Sequence, residues 1–443
     1  MKGLLIQGGY IIDPSQGIDE TGDLLITEGK ISWLGKGEIN PPQPDYDVLN
    51  ADGLIVCPGF IDLHCHLRQP GFEEKETIAT GSQAAARGGF TTICCMPNTN
   101  PPLDSQATVD YVKSTAAQEA VVRVLPIGCV SQGRKGGKLT DMGKLASAGV
   151  IAYSDDGNPV FSSRLMRQAL DYSRALGLPI IDHCENTTLT EGGLMNKGTL
   201  STTLGLQGLP AAAEEIIVAR DLALAQLTGG RLHIAHVSTE GSVDLIRWAK
   251  EKGIKVTAEV TPHHLTLTEE KVIGYDTNAK VNPPLRTKQD IQALIRGLKE
   301  NIIDIIATDH APHTEVDKLC EFALAPFGIS GLETALGSLM SLVHSGELPL
   351  TTLIAKLTHE PAKIIGNKHA QLGTLNTGAP ADVTIFHPDM EWVVDTEAFA
   401  SKGRNTPLAG SKLKGKVMAT ISQGKLVYKD DSIRLEAKIS LKE

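Results

Sequence analysis

At 443 residues the chain exceeds the size at which a single hydrophobic core usually stops growing, so one large domain plus a smaller unit is expected. Its 41% hydrophobic and 21% charged content argues against disorder, and no run approaches the roughly 18 apolar residues of a membrane span. The net charge of -10 is spread along the chain without a basic tract, which argues against nucleic acid as a partner.

The opening residues MKGLLIQGGYIIDPSQG reach Gly8, Gly9 and Asp13 before an export-signal core can form, so a cytoplasmic protein is expected. Residues 1–54 alternate short β-rich runs with Gly, Pro and Asp turns, which predicts a small antiparallel sheet. Apolar, β-branched runs follow at 54–63, 90–96, 121–129, 149–153, 178–183, 231–237, 254–260 and 302–308. Helix-like segments such as 75–88, 163–177, 211–230 and 290–301 lie between them. Eight strands alternating with helices predict an α/β fold, a (β/α)8 TIM-like barrel over residues 55–369. Past residue 370 the β-rich style returns, so residues 1–54 and 370–443 are expected to build one β-sandwich together. The seven cysteines (Cys57, Cys65, Cys94, Cys95, Cys129, Cys184 and Cys320) form no CxxC pair and read as small buried hydrophobes.

A barrel of this kind carries its chemistry at the C-terminal ends of its strands. Strand one ends in Asp62-Leu63-His64-Cys65-His66, strand four runs into Asp155-Asp156, and strands five, six and eight end in His183, His236 and Asp309. Alternation along a strand turns His64 and His66 to one side and Cys65 to the other. A lone HxH equally fits two packed core histidines, but further His and Asp at later strand ends favour metal ligation. Imidazole and carboxylate donors without thiolates suit a catalytic Zn²⁺ site. His64, His66 and Asp309 are assigned to one ion, and His183 and His236 to a second. Two ions about 3.5–4 Å apart need a bridging carboxylate and leave room for a bridging hydroxide. Asp156 is the favoured bridge and Asp155 its competitor, since either also fits a turn or cap in SDDGNP. His233 is expected to be packed, and His263 and His264 to line or support the site. His344, His359, His369 and His387 are expected in solvent.

The motifs PGFIDLHCHLRQPG (58–71), MPNTNPP (96–102), SDDG (154–157), HCEN (183–186), IAHVST (234–239), EVTPHHL (259–265), NPPLR (282–286), ATDHAPH (307–313) and FGISGLET (327–334) together resemble the type I bacterial dihydroorotases of the amidohydrolase superfamily. EPAKIIG (360–366) and GAPADVTIF (378–386) extend the resemblance into the superfamily's returning sandwich. HxH and a late aspartate are shared with hydantoinases, allantoinases and deaminases. Hydantoinases and allantoinases, however, typically bridge their metals with a carboxylated lysine near strand four, where this chain has AYSDDG and no lysine. The resemblance implies reversible hydrolysis of the cyclic amide of L-dihydroorotate to N-carbamoyl-L-aspartate, the third step of pyrimidine biosynthesis, with two zinc ions bridged by Asp156 and a hydroxide.

In that scheme Asp309 is general base and then acid, besides being a ligand. Arg68 and Asn98 resemble the pair that grips the substrate carboxylate, with His313 a further contact. Asn282 resembles a pyrimidine-edge contact, Phe327-Gly328 the backbone that meets the ring, and His66 is counted among the substrate contacts as well as the ligands. A planar guanidinium offers a carboxylate two parallel hydrogen bonds, which a lysine reproduces poorly; otherwise Arg68 reads as a surface ion pair and Asn98 as a turn residue. Gln69, where many members have glutamate, is a departure that touches no ligand. The expected partners are the small substrate and either a second copy of the chain or aspartate transcarbamoylase. Competing readings are a hydantoinase or allantoinase, and a non-catalytic partner of aspartate transcarbamoylase. The glycine-rich GRKGGK (133–138) and residues 315–321 are further candidates for mobile loops.

Overall fold

A computed structural model describes residues 3–37, 46–366 and 369–438; residues 1–2, 38–45 and 439–443 of the expected sandwich segments and 367–368 of the expected barrel lie outside the described residues. Eight parallel strands form the barrel: β1 (Phe60–Cys65), β2 (Phe90–Cys95), β3 (Arg123–Pro126), β4 (Tyr153–Ser154), β5 (Ile180–Asp182), β6 (Leu232–Ile234), β7 (Val256–Val260) and β8 (Ile305–Ile306). β1 to β3 and β4 to β8 make two hydrogen-bonded sheets. Parallel bridges Gly128↔Tyr153 and Cys65↔His310 join them and close the ring.

Ile61, Leu63, Cys94, Leu125, Ile181, Ala235 and Ile305, drawn from strands all around the ring, meet in one cluster that fills the barrel interior. The helices cover the outside. Ser163–Leu176 shows why they do: Leu165, Met166, Ala169, Leu170 and Ser173 recur on one face and are buried there. Ser162 caps its N-terminus through Leu165 N, and Gly177 in the left-handed conformation (φ 72°) ends it. Strand four begins later than its expected 149–153: Gly149 (φ 104°) is the C-cap of helix Met142–Ala148, and although Ile151 N already bonds Pro126 O at 3.1 Å, the regular strand spans Tyr153–Ser154.

Both chain ends enter one nine-stranded sheet system. Its inner faces enclose Ile6, Leu24, Ile31, Leu49, Val56, Val383, Ile385, Ala419 and Ile421, which is the β-sandwich core. The N-terminal portion is mixed, not antiparallel as expected: Gly3–Asp13 runs antiparallel to Ile18–Thr27 but parallel to Tyr46–Asn50 and Ile55–Pro58. Ile55–Pro58 leads directly into β1 and pairs antiparallel with Val383–Val393 from the other end of the chain. Between Val383–Val393 and Lys412–Ser422 the chain leaves the sandwich through residues 394–411. Among the described residues no helix is long and apolar enough to cross a membrane. Six cysteines are buried as expected, but Cys320 is exposed, on the loop after the short helix Glu315–Lys318.

Candidate metal centre and substrate pocket

The six metal-capable side chains singled out from the strand ends converge on one point. His64, at the end of β1, has no exposed surface, and its Nδ1 donates to Glu259 Oε1 at 2.6 Å. That bond fixes the tautomer and turns the Nε2 lone pair toward Asp156 Oδ2 (3.4 Å) and Asp309 Oδ1 (3.5 Å). His66 Nε2 lies 3.0 Å from Asp309 Oδ1 and 3.5 Å from Asp156 Oδ2. On the other side, Asp156 Oδ1 is 3.4 Å from His236 Nε2 and 3.7 Å from His183 Nδ1. The two oxygens of Asp156 thus face two different histidine pairs. Asp155 turns the opposite way and accepts from Val130 N and Ser131 N, each at 3.0 Å, and from the Ser131 hydroxyl.

His64 belongs to two candidate ligand groups, His64/Asp156/His236 and His64/His66/Asp309, and within each the donor atoms lie within 4.8 Å of one another. The division between two ions is therefore less sharp than the expected three-plus-two assignment. His64 Nε2, Asp156 Oδ1 and His236 Nδ1 are buried without a hydrogen-bond partner among the described residues. Each such orphan costs about 1–3 kcal/mol; for His64 Nε2 and Asp156 Oδ1, which face the cluster, a divalent cation is the partner their chemistry fits, whereas His236 turns Nε2 and not Nδ1 toward Asp156. His236 (φ 31°), Asp309 (φ 48°) and Arg68 (φ 60°) all hold left-handed backbone, a strain of about 1–3 kcal/mol each that concentrates at functional sites.

Burial opposes ionisation here, yet the surrounding imidazoles, His64 foremost, hold the carboxyls of Asp156 and Asp309 well below the usual range. Against the same burial, His64 and His233 hold Glu259 down to about 2. Burial pushes His264 down to about 3, so it is neutral; its ring meets Thr261 Oγ1 (2.8 Å) and Pro283 O (2.9 Å) and supports the wall. Burial lowers His263 likewise. His233 is packed, bonded to Thr257 Oγ1 (2.8 Å) and Glu259 Oε2 (3.0 Å). His359, His369 and His387 are half-buried instead of solvent-exposed: His359 opens the helix His359–Ile365 and His387 lies in the sandwich strand Val383–Val393, while His344 is exposed as expected.

Beside the cluster opens a cavity of about 200 Å³ whose wall includes His66, Arg68, Asn98, Asn282, Phe327 and Gly328. Arg68 Nε donates to Pro312 O (3.1 Å), and its Nη2 lies 3.4 Å from His313 Nε2. His313 stands one layer behind the wall, its Nε2 at 2.9 Å from Phe327 O, and burial pushes it down to about 3. Asn98 Oδ1 meets His66 Nδ1 at 3.0 Å, which leaves the amide hydrogens for an incoming acceptor. Asn282 Nδ2 donates to Glu185 Oε2 (2.9 Å), and that same oxygen meets His183 Nε2 at 2.9 Å.

Glu185 and Glu259 had no assigned role in the sequence, although each left a trace. Glu259 is a carboxylate in the apolar strand VTAEV, where an unpaired charge is prohibitive and a partner is required. Glu185 follows the ligand candidate His183 by two residues, a spacing that returns to the same side of an extended chain.

A closed parallel barrel with a sandwich made from both chain ends, and a histidine–aspartate cluster at the strand ends, defines a metal-dependent hydrolase of the amidohydrolase class. Residues 53–242 match the family described as Dihydro-orotase-like. The chain is 52% identical to a dihydroorotase of Caldanaerobacter subterraneus subsp. tengcongensis, over 96% of this chain and 97% of that protein. It is also 52% identical to a dihydroorotase of Thermoanaerobacter sp., over 97% and 98%. Among solved structures, L-hydantoinase (dihydropyrimidinase) from Arthrobacter aurescens superposes with a TM-score of 0.87 at 25% identity, covering 99% of each chain. The chain belongs to the dihydroorotase family and is a cyclic amide hydrolase.

Proposed function

We propose that the chain interconverts L-dihydroorotate and N-carbamoyl-L-aspartate with zinc in its site. The observation that carries this reading is one guanidinium, Arg68, in the wall of the same 200 Å³ cavity as the metal-capable cluster. A cyclic amide bearing a carboxylate needs both features. His64, His66 and Asp309 would hold one ion and His183 and His236 the other, with Asp156 between them. When bound, zinc lowers the pKa of water from 15.7 to about 7 and polarises an amide carbonyl.

Asp309 stays ionised at neutral pH, so it can take a proton from the attacking water and hand it to the departing ring nitrogen. In the reverse direction it takes the ureido proton as the nitrogen bonds to the side-chain carboxyl carbon, and passes it to the carboxyl oxygen whose bond to that carbon breaks and which leaves as hydroxide. Arg68 and the Asn98 amide bind the substrate carboxylate, with His313 supporting Arg68 from behind. Asn282 meets the pyrimidine edge, and the Phe327-Gly328 backbone meets the ring. The same reading makes the enzyme cytoplasmic, working as a homo-oligomer or beside aspartate transcarbamoylase.

Turnover of L-dihydroorotate, hydantoin and allantoin side by side, with metal quantified on the same sample before and after chelation, tests the proposal. Selective hydrolysis of dihydroorotate, lost on chelation and restored by Zn²⁺, is expected. Hydrolysis of hydantoin or allantoin alone would overturn the substrate, and full activity in verified apo protein would remove the metal.

A further inference from the structure

The excursion 394–411 leaves the sandwich and reaches the catalytic end of the barrel, where it delivers Asn405. This side chain is 4% exposed, and its amide spends its whole hydrogen-bonding capacity on two barrel segments. Oδ1 accepts from His313 N (2.9 Å) and Ser330 Oγ (2.8 Å), while Nδ2 donates to Ala311 O (3.1 Å) and Gly328 O (3.0 Å). The Asn405 carbonyl accepts from Ser330 N at 2.8 Å as well. Gly403 approaches so closely that a Cβ there would stand 2.3 Å from Pro312 Cβ and 2.7 Å from Ser330 Oγ.

The two segments that Asn405 ties together are those that shape the cavity. Pro312 O receives Arg68 Nε (3.1 Å), His313 Nε2 meets Phe327 O (2.9 Å), and Gly328 lies in the wall itself. The geometry points to Asn405 as a positioning residue for substrate binding, a clamp supplied by the sandwich half of the chain that sets Arg68 and the Phe327-Gly328 backbone relative to each other. What those segments grip rests on the substrate reading above; the clamp itself rests on the four bonds. Only an amide satisfies both ends: a carboxylate at 405 would put an oxygen against the Ala311 and Gly328 carbonyls, and an aliphatic side chain would leave all four groups unpaired.

Hydrogen exchange read by mass spectrometry on the full, zinc-loaded protein, together with steady-state kinetics on L-dihydroorotate, compares wild type, Asn405→Asp and Ser330→Ala. In Asn405→Asp, exchange in segments 311–313 and 328–330 should accelerate while the metal-bearing strand ends stay protected. KM should rise ~10–100-fold with kcat and metal content nearly unchanged. Ser330→Ala removes one bond of the four and should move the same segments and KM in the same direction, less far; it decides the matter if the aspartate variant does not fold. Unchanged exchange in both segments, or a kcat that falls with lost metal while KM holds, overturns the clamp. A wild type that does not turn over dihydroorotate defeats the substrate reading instead, and the exchange result alone then decides for or against the clamp.

Discussion

Replacing Glu259 by glutamine and by leucine separates what its charge does from what its shape does. Oε1 accepts from His64 Nδ1 (2.6 Å) and His236 N (3.3 Å), and Oε2 accepts from His233 Nε2 (3.0 Å), all with no exposure to water. Glutamine can keep this pattern. Its oxygen accepts from His64, and its NH₂ donates to His233 Nε2 once that ring moves its proton to Nδ1, where Thr257 Oγ1 waits at 2.8 Å. What is lost is the negative charge behind His64. Hydrogen bonds to charged acceptors contribute about 1.5–3 kcal/mol against about 0.5–1.5 kcal/mol for neutral ones. The difference of about 1–1.5 kcal/mol corresponds to metal bound about 5–13-fold more weakly, at the low end of the roughly 10–100-fold losses typical for partners of metal-binding histidines. Leucine leaves two buried ring nitrogens and the His236 amide unpaired and should in addition lower stability by about 3–9 kcal/mol. Competition with a chromophoric chelator gives the metal affinity, and denaturant unfolding of the apo proteins gives the stability. Wild-type metal affinity in Glu259→Gln would falsify the orienting role assigned to this carboxylate.

Asp309→Ala should abolish turnover in both directions with the fold retained by circular dichroism; substantial residual rate in either direction would remove Asp309 from the proton transfer. Arg68→Met should weaken productive binding by about 2–5 kcal/mol, because it leaves the substrate carboxylate poorly paired; an unaltered KM refutes the assignment. Glu333 accepts from Ala400 N at 3.0 Å, and burial pushes its carboxyl from 4.5 up to about 7. The folded protein therefore keeps this proton where the unfolded chain releases it, so stability should decline as pH rises from about 4.5 to about 7. Glu333→Gln should flatten that slope in denaturant titrations across the same window, and an unchanged slope would count against it.

The barrel was legible because its strands are buried on both faces and so read as uninterrupted apolar runs separated by amphipathic helices. His64 and His66 were legible for a similar local reason: alternation alone puts them on one side. The choice between Asp155 and Asp156 was not, since it depends on a turn at Gly157 (φ 80°) and on Arg134, which donates to the carbonyls of both aspartates from a separate loop. Glu259 lies 195 residues from His64, and no local pattern announces that they meet. Asn405 sits in a stretch without periodicity or recognised motif, so its partners 75 to 94 residues away are visible only in three dimensions. The parallel pairing of Gly3–Asp13 escaped for the converse reason, because strand direction is set by connections and not by composition.

The shared sheet makes this chain a slow closer during synthesis. Ile55–Pro58 waits for Val383–Val393 to cover its edge, and Tyr46–Asn50 waits for Leu435–Lys438. At about 5–20 residues per second the ribosome delivers the second of these partners roughly 20–80 seconds after the first strands emerge. Throughout that interval Ile6, Leu24 and Val56 have no completed core to enter. Nascent chains are then at risk of pairing with one another, so translation speed and access to a holding chaperone govern the yield of native protein, whatever stability the finished fold has.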